Sequence, residues 1–142
     1  MFHIVYVSEA SQAYNKQQLE DLHARSRAKN RIAGVTGMLI HKDDRFAQVL
    51  EGDEAVVRNL LDVIRRDSRH RHIDVLAEGP IAEREFSVWS MGFQDLNSGD
   101  LLGLYGHTKP LGKSVNIQNF KAKPADCLHV LRFIRDLQLT RK

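Results

Sequence analysis

The sequence predicts an α+β fold of the ferredoxin-like kind: a βαββαββ sheet with two helices on one face and C-terminal helices packing on the other. Three observations lead there. Short runs rich in β-formers, FHIVYV, VTGMLIHK and RFAQVLEG, are bounded by polar or Gly- and Asp-containing turns. Apolar residues recur at helical spacing in a stretch after the first run and again after the third. A last apolar stripe of helical period closes the chain, beyond a region containing Gly and Pro.

Residues 2–7 form the first strand, and alternation places Phe2, Ile4 and Tyr6 on one face. A helix follows from Asn15 to about Asn30: Asn15 caps it, Gln18 completes a capping box, and Leu19, Leu22 and Ser26 share one side. Val35 to Glu51 reads as a hairpin around the Asp43 and Asp44 turn, with Gly34 and Gly37 allowing tight backbone at its start. Asp53 caps a second helix whose Val56, Val57, Leu60, Leu61 and Ile64 make the clearest amphipathic pattern in the chain. A fourth strand is expected at about His72 to Glu78 and a fifth at about Val88 to Phe93. Helical crossovers of one hand then put both helices on the same sheet face. A short helix around Asp100 to Tyr105 and a longer one from Ala125 to Leu139, with Pro124 in its first turn, supply cover for the other face.

At 142 residues the chain has the size of one domain. No run approaches the roughly 20 apolar residues of a membrane helix, and the start MFHIVYVSEA lacks signal-peptide regions, so a cytoplasmic protein is expected. The single cysteine, Cys127, makes no internal disulfide and belongs to no metal-ligand spacing. His70 and His72 lack a third ligand at a characteristic distance in sequence, and no Ser sits in a nucleophile elbow. The net charge of +3 is spread among acidic residues, which makes it weak support for a nucleic-acid partner.

Some residues are not accounted for by packing. Gln48 lies between Phe46 and Leu50 on the helix-side face, where its amide needs a hydrogen-bond partner. A loop carbonyl or a buried water satisfies most such residues. Tyr6 lies on the matching face of the first strand, and a buried phenol also seeks a partner. Asn30 reads as a left-handed cap of the first helix or as an amide offered to a polar heterocycle, with Ser26 one turn earlier on the same edge. The DSRHRH run suits an anionic group or solvent alike.

With these residues in place, the chain resembles the BLUF family of blue-light sensors using flavin, over about residues 2 to 95. The resemblance rests on VYVS with Tyr6, AKNRIAGVTGMLI with Asn30, RFAQVLEG with Gln48, RRDSRH with Asp67 and His70, and FSVWSMGF, in that order. It implies a flavin, FAD with FMN or riboflavin as alternatives, held non-covalently between the two helices. It further implies that Tyr6 is the light-driven electron and proton donor, Gln48 the amide between Tyr6 and the flavin, and Asn30 a clamp on the ring's polar edge. Ser26, Lys29, Asp67, Arg69 and His70 are the remaining expected cofactor contacts. Trp89 and Met91 match the family's mobile fifth-strand pair, either of which approaches Gln48.

On this reading residues 1–96 form the flavin-binding domain and 97–142 a helical extension that caps the sheet and transmits the signal. No enzymatic module fits after Phe93, so the expected output is contact with a downstream protein, with self-association through the stripe around Leu131 and Ile134. Two other classes compete. A flavin enzyme would use the same pocket, but a ring clamped between helices leaves little room for substrate. A ferredoxin-like nucleic-acid module would show an RNP-like aromatic motif, and the sequence has none.

Overall fold

The computed structural model describes residues 1–96 and 116–140. Strand β1, Phe2–Ala10, is the β-rich run at the start of the chain, and it leads into helix α1, Lys16–Ala33. The capping box is present: Asn15 Oδ1 accepts the Gln18 N–H at 2.8 Å while Gln18 Oε1 accepts the Asn15 N–H at 2.9 Å. The helix runs on past Asn30 and ends at Gly34, whose φ of 73° is left-handed. Asn30 is therefore not the cap. Glycine takes the left-handed position without a Cβ clash, so the helix ends there and Asn30 becomes a buried interior residue.

Strands β2, Thr36–Lys42, and β3, Arg45–Gly52, form the expected hairpin. Asp43 and Asp44 have φ of 52° and 59°, the paired left-handed turn that matches strand twist. Gly37 is needed for a different reason, since a Cβ there would lie 2.0 Å from the Val49 carbonyl oxygen of β3. Helix α2, Glu54–Arg66, follows. Asp53 stands at its N-cap but its side chain makes no capping bond. The Asp53 carbonyl instead accepts from Val57 N, and the acidic group of the first turn is Glu54, paired with Arg58 at 2.9 Å.

Strand β4, His70–Pro80, extends beyond the expected span at both ends because it pairs with β1 from Ala10↔His70 to Phe2↔Pro80. Strand β5 is shorter than expected, Gly92–Asp95, and starts after both Trp89 and Met91. Residues before it turn: Trp89 N–H donates to the Phe86 carbonyl, a single bond from Gly37 N to the Trp89 carbonyl reaches β2, and the Trp89 ring lies 3.0 Å from where a Cβ on residue 92 would sit. Trp89 and Met91 thus belong to the connector between β4 and β5.

The sheet order is β4-β1-β3-β2-β5, antiparallel except for β2 with β5. Alternation divides it into two cores. Ile4, Tyr6, Leu39, Phe46 and Leu50 face α1 and α2, meeting Leu19, Leu22, Val57 and Leu61. Val5, Val7, Met38, Ile40, Ala47 and Val49 face the other way. A 3-10 turn, Ile117–Lys121, and helix α3, Pro124–Thr140, cover that second face through Ile117, Phe120, Cys127, Leu131 and Ile134. The spacing of 127, 131 and 134 is one helical stripe, and each buried Leu or Ile contributes about 1.5–3 kcal/mol. Phe133, on the other side of α3, is 42% exposed. The short helix expected at Asp100 to Tyr105 lies outside the described residues.

Candidate functional site

Tyr6 and Gln48 are direct cross-strand partners on β1 and β3, so their side chains rise together from the helix-side face. The Tyr6 hydroxyl donates to Gln48 Oε1. Gln48 Nε2 donates in turn to Met91 Sδ at 3.3 Å. Tyr6 is 1% exposed and Gln48 6%, which leaves no solvent to replace either bond. Burial raises the Tyr6 phenol well above its ordinary pKa. A thioether is a weak acceptor, and Gln48 Nε2 carries two N–H groups, so the amide retains donor capacity for a better partner.

This pair forms the floor of a cavity enclosing about 620 Å³ of empty space, open solvent at its mouth included. Leu22, Ser26, Lys29 and Asn30 of α1 make one wall, and Leu60, Val63 and Ile64 of α2 the other. Leu39 and Leu50 complete the floor, while Asp67, Arg69 and His70 close the end where α2 gives way to β4. Every cofactor residue expected from the sequence lines this one cavity. Apolar walls carrying a few convergent polar groups are the usual form of a small-molecule site.

The polar groups are individually constrained. Asn30 Nδ2 donates to the Ser90 carbonyl at 3.0 Å, tying α1 to the connector before β5. Arg69 Nε donates to Asp67 Oδ1 at 2.9 Å, and the Arg69 backbone N–H reaches the same oxygen at 2.9 Å. Those bonds hold the Asp67 carboxyl down to about 2, chiefly through the Arg69 side chain. The same pairing holds Arg69 in its charged form, its pKa raised chiefly by the Asp67 carboxylate. His70 Nδ1 lies 3.3 Å from Ser8 Oγ, its ring meets Phe46 edge-on, and burial lowers its pKa towards the neutral form.

A family model described as sensors of blue light using FAD, BLUF, matches residues 1–92. The chain belongs to the BLUF family. Curated relatives align over 83 to 97 residues: photoactivated adenylate cyclase subunit beta of Euglena gracilis is 30% identical over 89 residues, 62% of this chain and 10% of that protein. The chain thus spans about a tenth of the length of the curated relatives it matches. Among solved structures, BlrB, a BLUF protein in its dark state, superposes with a TM-score of 0.75 at 25% identity, covering 95% of both chains. BlrP1 of Klebsiella pneumoniae with FMN and cyclic diGMP gives 0.63 at 32% identity over 68% of this chain and 26% of that one.

A BLUF chain is a blue-light sensor that uses flavin, and the donor set here fits such a group. Leu22, Leu39, Leu50, Leu60, Val63 and Ile64 line the cavity with aliphatic surface, and Gln48 and Asn30 bring amides to it from β3 and α1. Of the two BLUF connector residues, Met91 lies beside Gln48, while Trp89 packs against the core on the opposite face of the sheet. Sequence reasoning missed two residues that hold this connector. His23 Nε2 lies 2.7 Å from the Met91 carbonyl oxygen. Glu51, fully buried, accepts from Thr36 Oγ1 and Phe86 N at 2.9 Å each and from Glu85 N at 2.7 Å. A carboxylic acid at an inward position of β3 is the signal that could have found Glu51, since a buried carboxyl needs several donors. His23 sits next to Leu22 on the sheet side of α1, and only the tertiary fold shows what it meets.

Among the described residues, no cluster of His, Cys, Asp or Glu is arranged to hold a metal ion, and no helix is long and apolar enough to cross a membrane.

Proposed function

We propose that this chain is a cytoplasmic photoreceptor module whose Tyr6, Gln48 and Met91 convert light absorption into a shift of the connector before β5, read by a downstream protein. The carrying observation is the continuous buried chain Tyr6 Oη, Gln48 Oε1, Gln48 Nε2, Met91 Sδ at the floor of the cavity. Flavin, with FAD as the native form, supplies the chromophore and a transient electron acceptor when bound. Asn30, Ser26 and Lys29 on one wall and Asp67, Arg69 and His70 at the closed end are the residues that hold it.

Tyr6 acts as electron donor, its proton leaves along the hydrogen bond to Gln48 Oε1 because the phenol is buried and makes that bond, and both electron and proton return to Tyr6 as the Gln48 amide rearranges. Gln48 then exchanges donor and acceptor ends. With its oxygen turned away from Tyr6, the bond to Met91 Sδ is lost and the connector is free to rearrange. Trp89 and Met91 carry that change through the sheet edge to α3. Residues 1–96 sense and residues 97–142 transmit, without catalysis by the chain itself and with self-association through α3 as part of the output.

Absorption spectra of the purified protein in darkness and after blue illumination test this. Flavin bands with a small reversible red shift on illumination are expected. Absence of flavin, or flavin without a shift, overturns the proposal.

A further inference from the structure

Two consecutive carbonyls of the connector, Ser90 and Met91, are each held by a side chain of α1. Asn30 holds the first and His23 the second. These residues lie two helical turns apart, about 10 Å along the axis, and together they fix both the position and the direction of the connector. They differ in one respect. Asn30 lines the cavity, so its amide is shared with whatever occupies that space, whereas His23 is not among the cavity's lining residues.

His23 is held from a second side. Its ring stacks on Phe93 of β5, with centroids 5.3 Å apart and planes 26° apart. The stack fixes the ring plane, and the 2.7 Å contact points Nε2 at the Met91 oxygen, so Nε2 carries the proton and donates. Met91 Sδ reaches Gln48 only while the Met91 backbone stays where His23 holds it. Displacement of the Met91 backbone away from Gln48 must break the His23 bond.

We propose that His23 is a positioning residue for the switch, holding Met91 against Gln48 in the resting state and so setting how long the illuminated state lasts. The inference rests on the reading of Gln48 and Met91 given above. Loss of the donor removes a bond present only in the resting arrangement, which favours the displaced one. One net hydrogen bond corresponds to about a fivefold change in such an equilibrium.

The test compares His23→Phe, which keeps a ring to stack on Phe93 but has no donor, with His23→Gln, which restores an N–H. Flavin-loaded full-length proteins are illuminated and the decay of the red-shifted absorbance is followed. With the bond re-formed in the transition state for recovery, the expected lifetimes are about fivefold longer for His23→Phe and within about twofold of the parent for His23→Gln. A His23→Phe protein that binds flavin, shifts with light and recovers at the parental rate overturns the role of His23 alone. Equal lengthening in both variants does the same, because it shows packing and not donation. Histidine-labelled NMR of the unmodified protein keeps the test open if a variant misfolds: the His23 Nε2 proton must change on illumination, and an unchanged signal refutes the proposal. An unmodified protein whose flavin shows no light shift refutes the switch reading itself.

Discussion

Removing the Tyr6 hydroxyl with Tyr6→Phe leaves Gln48 Oε1 without its donor at a position 6% exposed. A buried acceptor stripped of its partner costs about 1–3 kcal/mol, whereas replacing both partners by apolar groups of similar shape is close to neutral. Gln48→Leu orphans the Tyr6 hydroxyl in the same way and also gives up the contact with Met91 Sδ. The Tyr6→Phe/Gln48→Leu double variant should therefore be more stable than the sum of the singles predicts, by about 1–3 kcal/mol, the coupling expected of residues in one hydrogen-bonded network. Urea unfolding of flavin-free protein, followed by circular dichroism, resolves this, since each single variant should lower the midpoint by about 1 M for a slope near 1–3 kcal/mol per M. Additivity within about 0.5 kcal/mol would refute the pairing of these two side chains. With flavin bound, Tyr6→Phe should remain yellow and lose the light-induced shift, and a surviving shift would remove Tyr6 from the photochemistry.

The remaining predictions concern the frame around that pair. Gly37→Ala should cost about 3 kcal/mol or more, beyond ordinary overpacking, because the added Cβ meets backbone 2.0 Å away that cannot rotate aside; a thermal shift of only a degree or two would contradict the register of β2 on β3. His70, lowered by burial, binds fewer protons folded than unfolded just below its ordinary value of 6.5, with Asp67 opposing and Arg69 reinforcing that shift. Its contribution is full above that pH and is lost as pH falls through it, so stability should drop between about pH 7 and pH 5, and His70→Asn should flatten the drop in urea titrations. Arg132 forks onto the Glu85 carboxylate at 2.9 to 3.1 Å, joining α3 to the connector at partly exposed positions. Arg132→Ala should change stability by less than about 1 kcal/mol while reducing any light-dependent change in hydrogen exchange along α3; an undiminished change would exclude this contact from transmission.

The order of elements was legible because it rests on periodicity, and the meeting of Tyr6 with Gln48 was legible because residues on matching strand faces meet when the strands are neighbours. Tyr6 and Gln48 needed only alternation and strand order to be brought together. What sequence could not fix were competitions between nearby groups. Asn30 and Gly34 both suit the end of α1, and the lower cost of glycine in the left-handed region decided it. Val88 to Phe93 has strand composition, yet the turn from Phe86 to Trp89 delayed β5 to Gly92. Asp53 has a capping side chain in a capping position, and the helix begins without using it. His23 carried no pattern at all, because its partner is a backbone carbonyl 68 residues away.

Buried Glu51 has a mechanical consequence. Its carboxylate grips the backbone at Glu85 and Phe86, and Arg84 beside it ties to the Gly34 carbonyl at 2.7 Å and to Thr36 Oγ1 at 2.9 Å. Downstream, the chain is pinned again where Gly92 enters the sheet against Met38. The span between these two anchors is therefore no longer than Ser87 to Met91, with Trp89 at its middle, its carbonyl accepting from Gly37 N at 3.3 Å, and the Glu51 carboxylate as a fixed fulcrum. A long loop would absorb a small displacement at Met91 as slack. A lever this short cannot, and its midpoint already bears on the core beneath α3. On the proposed reading, a residue with no part in photochemistry thus sets where a motion beginning at the Gln48 amide would be delivered.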